Sequence, residues 1–562
     1  MSTPVAIVGM DFRLPGSDTA DEFWRTLTVG APKTRQVPAD RLVGYPAGQV
    51  GPAGLTAALL DDISCFDAKF FGIGRRMAVW MDPQQRLLLE TSWRAMESAA
   101  IAPGSLRGLD VGVFVGSATN DFRDRMISEG VLDRYTAIGA LPTYLSNRLS
   151  YHYDFRGPSY TVDTGCSSGL SALTMAVASL RAGDLDVALV GSANLCLSGV
   201  MPATLAHAGA LSPSGSCRPF TDGADGYVRG EGVVSLVLKR LDDALADGDP
   251  VAAVIRGAAT NHDGRRGGLI RPDADSQVGL VQRALRQAGL SASDIGYVEA
   301  HAPGTSADAV EVDGIRRLLA TLPPGARGRA GPDGRTWVGS VKAVIGHLES
   351  AAAVASLVKA VLVLRHGQIP TAAGILSVGA DLAVRHDPSA PPGSVIDWPA
   401  GSAPRRVGVS SFGIGGSNGH LVVEESPARR ASAGRWRAGR VAVPLSAADE
   451  ASLGARAAEL ADFLADPPPG CDLNSVAWTM QAGREQLPAR AVVEASSLAE
   501  LRTGLRALPE PGPAYRTWVN GGELDWAACW ITPPAVRLSL PGTVFRRTHL
   551  GFAPETARRR AG

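Results

Sequence analysis

Two kinds of hydrophobic stretch alternate along residues 1–425 of the chain. Short, almost continuously apolar runs are typical of strands buried on both faces, and longer runs with helical spacing are typical of helices. The pattern predicts strands at 5–8, 111–115, 187–190, 233–238 and 407–409, and helices at 83–99, 167–182, 275–289 and 351–365. This alternation indicates an α/β fold with a covered sheet.

The helices predicted at 167–182 and 351–365 are apolar on most sides. Leu170, Leu173 and Val177 belong to the first, and Val354 and Val361 belong to the second. A surface helix keeps a polar side, so a helix that is apolar all round is buried. We expect both helices to lie between two sheet layers.

The pattern changes after Glu425. Residues 427–440 are rich in Ala, Arg, Ser and Gly, which is typical of a linker. A smaller α/β unit is predicted next, with strands at 441–445 and 490–495 and helices at 449–464, 473–482 and 498–508. The remaining residues have little periodicity but contain Trp518, Trp526 and Trp530, which favours a tail lying across another domain.

Composition narrows the possible functions. The chain has 562 residues, 55 Lys+Arg and 55 Asp+Glu, and this balance argues against a general binder of nucleic acid or membrane surfaces. Six cysteines without CxxC pairs suggest neither a zinc site nor a disulfide framework. No signal peptide and no long apolar stretch is evident, so a reducing cytoplasm is the expected location.

One cysteine lies where a strand gives way to a helix. In "VDTGCSSGL", residues 162–170, Cys166 directly precedes the helical run. Backbone N–H groups and the positive end of the helix dipole favour a thiolate at such a position. The neighbouring Gly165 and Gly169 allow close approach of a substrate. Taken alone, Cys166 fits either a nucleophile or an ordinary buried cysteine.

Two histidines follow strand-like runs much later in the chain. His301 lies in "VEAHAPGTSADAVEV" and His347 in "VGSVKAVIGHLES". A cysteine with two loop histidines predicts a nucleophile with acid–base partners, although each histidine alone also fits a structural role. Lys342 is a candidate cation of the same site, with Glu311 as its candidate partner; an isolated lysine is more often a solvated surface residue.

A second glycine-rich loop, "SSFGIGGSNGH", occupies residues 410–420. Four glycines and few charges indicate close approach of the backbone to another group. The loop lacks the Gly-Lys-Ser/Thr of a phosphate loop and the spacing of a dinucleotide fingerprint. The sequence therefore argues against nucleotide binding.

These motifs together resemble the β-ketoacyl synthase domain of a modular polyketide synthase, within the thiolase superfamily. The resemblance spans residues 4–425 and rests on "VAIVGMDFRLPG", "MDPQQRLLLE", "NRLSYHYDFRGPSYTVDTGCSSGL", "CRPFTDGADGYVRGEG", "VEAHAPGT", "GSVKAVIGH" and "VSSFGIGGSNGH". Residues 441–510 resemble the small adapter of that family. "TWVNGGELDW" and "LPGTVFRRTHLGF" resemble the tail that wraps back onto the synthase.

The resemblance implies a fold and an organisation. We expect a thiolase-like core of five αβαβα layers at 1–425, built from two similar halves, and a homodimer. A linker and small α/β subdomain would occupy 426–517, and a tail packing on the core would occupy 518–562. No acyltransferase domain lies between adapter and tail, which resembles systems whose acyltransferase acts in trans.

The resemblance also implies a reaction. Cys166 would take an acyl chain from an acyl carrier protein, and His301 and His347 would bind malonyl-carrier protein and stabilise the enolate formed as carbon dioxide leaves. A decarboxylative Claisen condensation would then elongate the chain. Both substrates would arrive as phosphopantetheine thioesters, and the chain itself would bind no cofactor and no metal.

Supporting roles follow by matching position. The backbone N–H groups of Cys166 and Ile414 would form an oxyanion hole, and Lys342 would tune His347. The remaining supporting residues are Glu311 and Asp308 near His301, and Phe412, Gly413, Gly415 and Gly416 in the loop that lines the substrate pocket.

The chain departs from the family after His301. Relatives usually read His-Gly-Thr-Gly-Thr, whereas this chain has Ala302 and Pro303, and the run to Asp308 is one residue short. Pro303 removes a backbone donor and fixes φ, which would displace His301. In addition, Ala343 and Val344 replace a common Ser-Asn pair near Lys342.

Three alternatives compete with elongation. A non-elongating ketosynthase would need only Cys166 and would transfer the acyl chain unchanged. A CoA-dependent thiolase would need a second cysteine in the late glycine-rich loop, and residues 410–413 have none. A catalytically silent scaffold could dock an acidic carrier protein on the basic linker residues Arg429, Arg430, Arg435, Arg437 and Arg440, which also fit a merely solvated linker.

Overall fold

The structure is a computed structural model of the chain. It describes residues 2–46, 55–265, 269–372, 374–386, 393–428, 434–437 and 439–552. The predicted basic residues Arg429 and Arg430 lie outside this described part.

The N-terminal half of the core contains nine strands and nine α-helices among its described residues. The strands are β1 (Val5–Arg13), β2 (Arg35–Gln36), β3 (Thr56–Ala58), β4 (Cys65–Phe66), β5 (Gly112–Gly116), β6 (Ser159–Val162), β7 (Val187–Asn194), β8 (Arg229–Gly230) and β9 (Gly232–Arg240). The helices are α1 (Ala20–Val29), α2 (Arg75–Trp80), α3 (Pro83–Ser98), α4 (Asp121–Ser128), α5 (Thr136–Ala140), α6 (Thr143–Tyr153), α7 (Ser168–Ala182), α8 (Val200–His207) and α9 (Leu241–Ala246).

The C-terminal half follows with the same kinds of element. The strands are β10 (Ala253–His262), β11 (Tyr297–Glu299), β12 (Thr336–Gly339), β13 (Gln368–Pro370), β14 (Leu376–Val378), β15 (Val384–His386), β16 (Val395–Asp397), β17 (Arg406–Phe412) and β18 (Ser417–Glu425). The helices are α10 (Ala274–Ala288), α11 (Asp308–Ala320), α12 (Lys342–Ile345) and α13 (Ala352–His366).

The two halves repeat one strand order. In the first half the order is β1-β9-β7-β5-β6, with antiparallel, antiparallel, parallel and parallel neighbours. In the second half the order β10-β18-β17-β11-β12 has the same succession of directions. Antiparallel pairing of β1 with β10 joins the halves into a 12-stranded sheet.

Helices lie on both sides of each half, which gives the five layers that the family resemblance implies. Helix α7 contacts strands β5, β6 and β7 of the first half but also β10 and β18 of the second. Helix α13 likewise contacts β17 and β18 as well as β9. The two helices are therefore sandwiched between the halves, as their apolar surfaces predict, while α3 covers one outer face and α10 covers the other.

The chain after the core forms the predicted small unit and a tail. The strands are β19 (Arg435–Trp436), β20 (Val441–Ala447), β21 (Ala489–Ala495), β22 (Trp530–Thr532) and β23 (Thr548–His549). The helices are α14 (Glu450–Phe463), α15 (Leu473–Ala482), α16 (Leu498–Ala507) and α17 (Arg516–Val519). Asp449, Asp472 and Ser497 cap the first three of these helices by accepting a backbone N–H of the first turn.

The tail divides into two parts with different contacts. Trp518 and Trp526 pack on strands of the adapter, and Trp530 lies in the adapter core. Contacts with the synthase core come later, where Thr543 bonds to Glu97 and β23 pairs with β4. The tryptophans therefore fix the tail to the adapter, and the residues that follow fix it to the core.

One buried carboxylate ties all three parts together. Glu97 of α3 pairs with Arg456 of the adapter at 2.8 Å and accepts the backbone N–H of Thr543 at 2.6 Å. Arg484 of the adapter donates to the backbone oxygen of Glu97. Among the described residues, no helix has the length and apolarity needed to cross a membrane.

Candidate active site

Cys166 lies in a tight junction between β6 and α7. Gly165 just before it has φ +65°, a left-handed conformation that glycine adopts without steric cost. Ser168, the first residue of α7, accepts the N–H of Thr164 and donates to the carbonyl of Gly165. These bonds hold the cysteine immediately before the start of a buried helix.

The glycine-rich loop after β17 packs directly against this junction. A Cβ on Gly413 would lie 2.6 Å from the carbonyl oxygen of Thr164, so only glycine allows the approach. Ser411 donates to the carbonyl of Cys166 at 3.1 Å, and Ser167 donates to the carbonyl of Ser417 at 2.8 Å. Close backbone approach, predicted from the composition of the loop, is what these contacts achieve.

The backbone N–H groups of Ile414 and of Cys166 itself act on the Cys166 sulfur and favour its charged form by lowering its pKa; these two groups are the pair expected to form the oxyanion hole. Burial nevertheless raises the pKa of the Cys166 thiol to about 11, with Glu349 adding to the rise and Lys342 opposing it. The resting group is therefore a thiol. This corrects the expectation of a thiolate-favouring position, because desolvation of the sulfur outweighs the helix start.

The His301 loop is held by two carboxylates from the first turn of α11. Glu311 accepts the backbone N–H groups of His301 and Ala302, each at 2.9 Å. Asp308 accepts those of Gly304 and Thr305 at 3.1 and 3.2 Å. Only Pro303 lacks an N–H to offer. The shortened loop is thus anchored on both sides of the proline.

His347 is fixed through both its backbone and its ring. Its N–H donates to the carbonyl of Val228, and its carbonyl accepts the N–H of Gly230. The backbone N–H of Glu349 donates to Nδ1 of the ring at 3.0 Å. Because that nitrogen acts as acceptor, the proton of the neutral ring is on Nε2.

The two histidine rings lie together beside the glycine-rich loop. Their centroids are 5.2 Å apart, and the ring of Phe412 is 6.0 Å from that of His301. Burial holds the pKa of both histidines well below the usual value, and the charge of Lys342 adds to this in each case. Both imidazoles are therefore neutral hydrogen-bond donors at neutral pH.

Lys342 is buried at the start of α12. Burial lowers its pKa, and the carboxylates of Glu299 and Glu311 oppose that shift. The predicted partner Glu311 thus contributes, but its oxygens are occupied by the His301 loop. Glu299 was not predicted. It pairs with Lys359 at 2.8 Å and accepts the N–H of Val341 at 2.6 Å, next to Lys342.

A buried ion pair behind His347 also escaped the sequence analysis. Arg229 donates through two nitrogens to the two oxygens of Glu349, each at 2.8 Å. Both residues stand in quoted motifs, "DGYVRGEG" and "GHLES", where the opposite charges and the closeness of Glu349 to His347 were the available signals.

The other predicted residues occupy supporting positions. Gly416, at φ +86°, and Gly415 belong to the turn that returns the chain to β18, and Gly415 accepts a bond from His262 at 2.9 Å. In the linker, Arg437 bonds to the carbonyl of Ala528 and Arg440 pairs with Glu500. Within the described part of the chain, no cluster of three or more His, Cys, Asp or Glu could hold a metal ion.

Three family models match the chain. The model for the N-terminal domain of β-ketoacyl synthases covers residues 2–244, and that for the C-terminal domain covers residues 252–375. A third, for the RhiE-like linker domain between ketosynthase and malonyl acyltransferase, covers residues 444–510. The boundary between the first two lies between β9 and β10, where the strand order begins to repeat.

Curated relatives are much longer proteins. Erythronolide synthase EryA3 of Saccharopolyspora erythraea is 40% identical over 546 residues, which is 96% of this chain and 16% of the relative. Mycocerosic acid synthase-like polyketide synthase of Mycobacterium tuberculosis is 37% identical over 551 residues, 94% of this chain and 25% of the relative. The chain therefore spans less than a third of each relative.

Solved structures match over almost the whole length. The oxazolomycin ketosynthase domain OzmH KS7 of Streptomyces albus JA3453 has a TM-score of 0.83 and 32% identity, covering 99% of both chains. The ketosynthase from module 6 of the bacillaene synthase of Bacillus subtilis 168 also has a TM-score of 0.83, with 29% identity, covering 98% of this chain and 100% of that one.

Proposed function

We propose, for a chain that belongs to the β-ketoacyl synthase family, that Cys166, His301 and His347 carry out decarboxylative condensation on carrier-protein thioesters. The chain is a ketosynthase domain of the polyketide synthase type and thus an acyltransferase. The observation that supports the residue assignment best is the pair of neutral, neighbouring histidines beside the loop that packs on Cys166.

The first half-reaction loads the enzyme. The sulfur of Cys166 attacks the carbonyl carbon of an acyl thioester on the phosphopantetheine of an acyl carrier protein. The N–H groups of Cys166 and Ile414 hold the negative oxygen of the tetrahedral intermediate. The bond to the phosphopantetheine sulfur then breaks, and the proton of the Cys166 thiol ends on the released phosphopantetheine thiol.

The second half-reaction extends the chain. Malonyl-carrier protein places its thioester oxygen against the donor nitrogens of His301 and His347. As the bond to the carboxylate breaks, its electron pair moves into the enolate, whose oxygen these donors stabilise. The enolate carbon attacks the acyl thioester of Cys166, and the Cys166 sulfur leaves and regains a proton. Carbon dioxide and a β-ketoacyl-carrier protein are the products.

A two-substrate assay tests the proposal against its nearest rival. The protein would be given an acyl-carrier protein and malonyl-carrier protein labelled with ¹³C in the free carboxylate. We expect acylation of Cys166 by intact mass and release of labelled carbon dioxide. Acylation without carbon dioxide release would replace elongation by simple acyl transfer. The absence of both would favour the silent scaffold.

The setting of the domain is a further part of the proposal. Helix α16 ends at Ala507 and the tail helix α17 begins at Arg516, so no acyltransferase domain separates adapter from tail. We infer that malonyl groups are loaded by an acyltransferase acting in trans.

A reducing cytoplasm suits a chain whose six cysteines are all free, because Cys166 must remain a thiol.

A homodimer is also proposed, from the end of the large sheet. Strand β6 is the last in the strand order, and β5 is its sole partner strand among the described residues. Its Tyr160 is 49% exposed. An unpaired edge of this kind is a template for another strand, and pairing with the same edge of a second copy gives a closed two-fold dimer.

Sedimentation would test the dimer with two matched variants. Tyr160→Lys adds a charge at the edge, and Leu245→Lys adds one at an exposed site on α9. We expect the dimer mass for the unchanged protein and for Leu245→Lys, and a shift toward monomer for Tyr160→Lys. A monomer in all three would rule out this interface.

A further inference from the structure

Glu349 adopts an unusual backbone conformation two residues after His347. Its φ is +46°, a left-handed conformation that is costly for a residue with a Cβ and a long side chain. In this conformation its N–H points back at Nδ1 of His347, at 3.0 Å. A strained residue persists only where surrounding interactions determine its conformation.

The surrounding interaction is the ion pair with Arg229. Two parallel bonds of 2.8 Å join the guanidinium to both carboxylate oxygens. Arg229 is only 3% exposed and Glu349 only 8%, so the pair is desolvated. The two parallel bonds also fix the orientation of the carboxylate relative to the plane of the guanidinium. The backbone of Arg229 also bridges that of His347. The backbone of Arg229 thus contacts one end of the segment 347–349, at His347, and its side chain contacts the other end, at Glu349.

Two other groups surround the pair. Asp121 lies 3.6 Å from Arg229, on a nitrogen that Glu349 does not use. The ring of Tyr227 covers His347 with centroids 5.0 Å apart, and its hydroxyl lies 3.5 Å from Glu349. Arg229 therefore keeps a carboxylate neighbour when Glu349 is replaced, which makes substitutions at Glu349 the gentler way to break the pair.

We propose that the Arg229–Glu349 ion pair is a positioning latch for His347, holding Glu349 in the left-handed conformation so that its N–H occupies Nδ1 and leaves the Nε2 proton for the substrate thioester. Neither residue touches substrate. The role assigned to Nε2 rests on the proposed function, whereas the effect of the latch on the ring tautomer does not.

Three substitutions separate the backbone from the charge. Glu349→Gly, Glu349→Asn and Glu349→Ala all remove the carboxylate, but glycine and asparagine tolerate a left-handed backbone and alanine does not. We expect Glu349→Ala to release carbon dioxide from malonyl-carrier protein about tenfold more slowly than Glu349→Gly. Glu349→Asn should resemble Glu349→Gly. All three variants remove the charge of Glu349 that helps to raise the pKa of Cys166, so acylation of Cys166 should not fall in any of them and should agree among the three within about twofold, which also shows that they fold.

Equal rates for the alanine and glycine variants would overturn the latch, as would a loss of acylation parallel to the loss of decarboxylation. A second readout does not need activity. The ¹⁵N shifts of the His347 ring should show the Nε2–H tautomer in the unchanged protein and in Glu349→Gly, and a mixture in Glu349→Ala. His301 is the internal control, because its Nδ1 has no partner among the described residues. An unchanged His347 tautomer in Glu349→Ala would also overturn the latch.

The two readouts separate the latch from the proposed function. If the unchanged protein released no carbon dioxide, the elongation proposal would fall while the ring shifts still tested the latch. If carbon dioxide were released but the His347 tautomer were the same in Glu349→Ala as in the unchanged protein, the latch proposal would be wrong and the elongation proposal would stand.

Discussion

The two halves of the core share a strand order but use corresponding junctions for different chemistry. In the first half, β6 leads through residues 163–167 into the buried helix α7, and Cys166 lies in that short junction. In the second half, β12 leads through residues 340–351 into the buried helix α13, and His347 lies in that longer junction. Nucleophile and histidine thus occupy equivalent places in a repeated fold.

The difference in length decides what holds each residue. In the short junction, backbone N–H groups and glycines set the surroundings of the Cys166 sulfur, and the carboxylate of Asp163 accepts the N–H of Gly165. The longer junction admits Lys342 and the Arg229–Glu349 pair around His347. The nucleophile is positioned by main chain and the histidines by buried charges, so the two sites should respond to different substitutions.

The largest effect is expected from the substitution that removes the nucleophile. Cys166→Ala should abolish acylation and lower condensation by about 10³-fold or more, because it removes the thiol that accepts the acyl group in the proposed loading step. Intact-mass spectrometry after incubation with an acyl-carrier protein measures this directly. Cys471→Ala, a partly buried thiol of the adapter, is the control and should acylate normally. An acyl adduct on Cys166→Ala would show that another thiol is the acceptor.

Removing either histidine should slow only the second half-reaction, the decarboxylative condensation. His301→Ala and His347→Ala each delete one donor from the enolate oxygen, and loss of such a donor costs about 10²- to 10³-fold in rate. Release of carbon dioxide from malonyl-carrier protein should fall by that amount, while the Cys166 acylation rate changes little. Equal losses in both half-reactions would mean that the histidines also activate the thiol.

Glu311→Gln should act through the His301 loop. An amide offers one acceptor oxygen where the carboxylate offers two, so one of the N–H groups of His301 and Ala302 loses its partner. We expect carbon dioxide release to fall about tenfold, the usual cost of one unsatisfied buried donor. Asp308→Asn is the matched variant on the same helix turn and should have a smaller effect, because it holds Gly304 and Thr305 rather than His301.

The same carboxyl gives stability a defined pH dependence. Burial raises the pKa of Glu311 to about 7 from 4.5, so the folded protein binds this proton more tightly than the unfolded chain. Its contribution is full below about pH 4.5 and is lost as pH rises through 7, by about 3 kcal/mol. Urea unfolding at pH 5 and pH 8 should show a smaller difference in Glu311→Gln. An unchanged difference would assign the titration to another group.

The sequence predicts the helices and the three candidate catalytic residues of the core, but not the ion pair behind His347. Helices α7 and α13 were predicted because their apolar surfaces need two covering layers. Cys166, His301 and His347 are predicted as site residues because each follows a strand-like run in a loop of small residues. Fold and family were confirmed. The Arg229–Glu349 ion pair behind His347 is not predicted, since the bond between the two residues spans 120 residues and charge alone does not distinguish a buried pair from solvated residues.

Pro303 lies in a loop whose neighbouring N–H groups are bound by two carboxylates. The sequence predicts displacement of His301, because a proline in the loop removes a donor and restricts φ. In the structure Glu311 and Asp308 bind the N–H groups on either side, and Pro303 itself is buried. The carboxylates that secure this loop come from a helix that follows it in sequence, a compensation that inspection of residues 301–305 alone could not reveal.

The smallest expected effect follows from that compensation. Pro303→Thr restores the usual family residue at this position, and if the carboxylates hold the loop, condensation should change by less than about threefold, well below the effect of Glu311→Gln. The measurement is the carbon dioxide release rate of both single variants and of the double variant. We expect the loss in the double variant to exceed the product of the two single effects, because the proline ring then no longer restricts a loop that has lost its anchor. A rate gain of tenfold or more in Pro303→Thr alone would mean that the proline, and not the carboxylates, sets the position of His301.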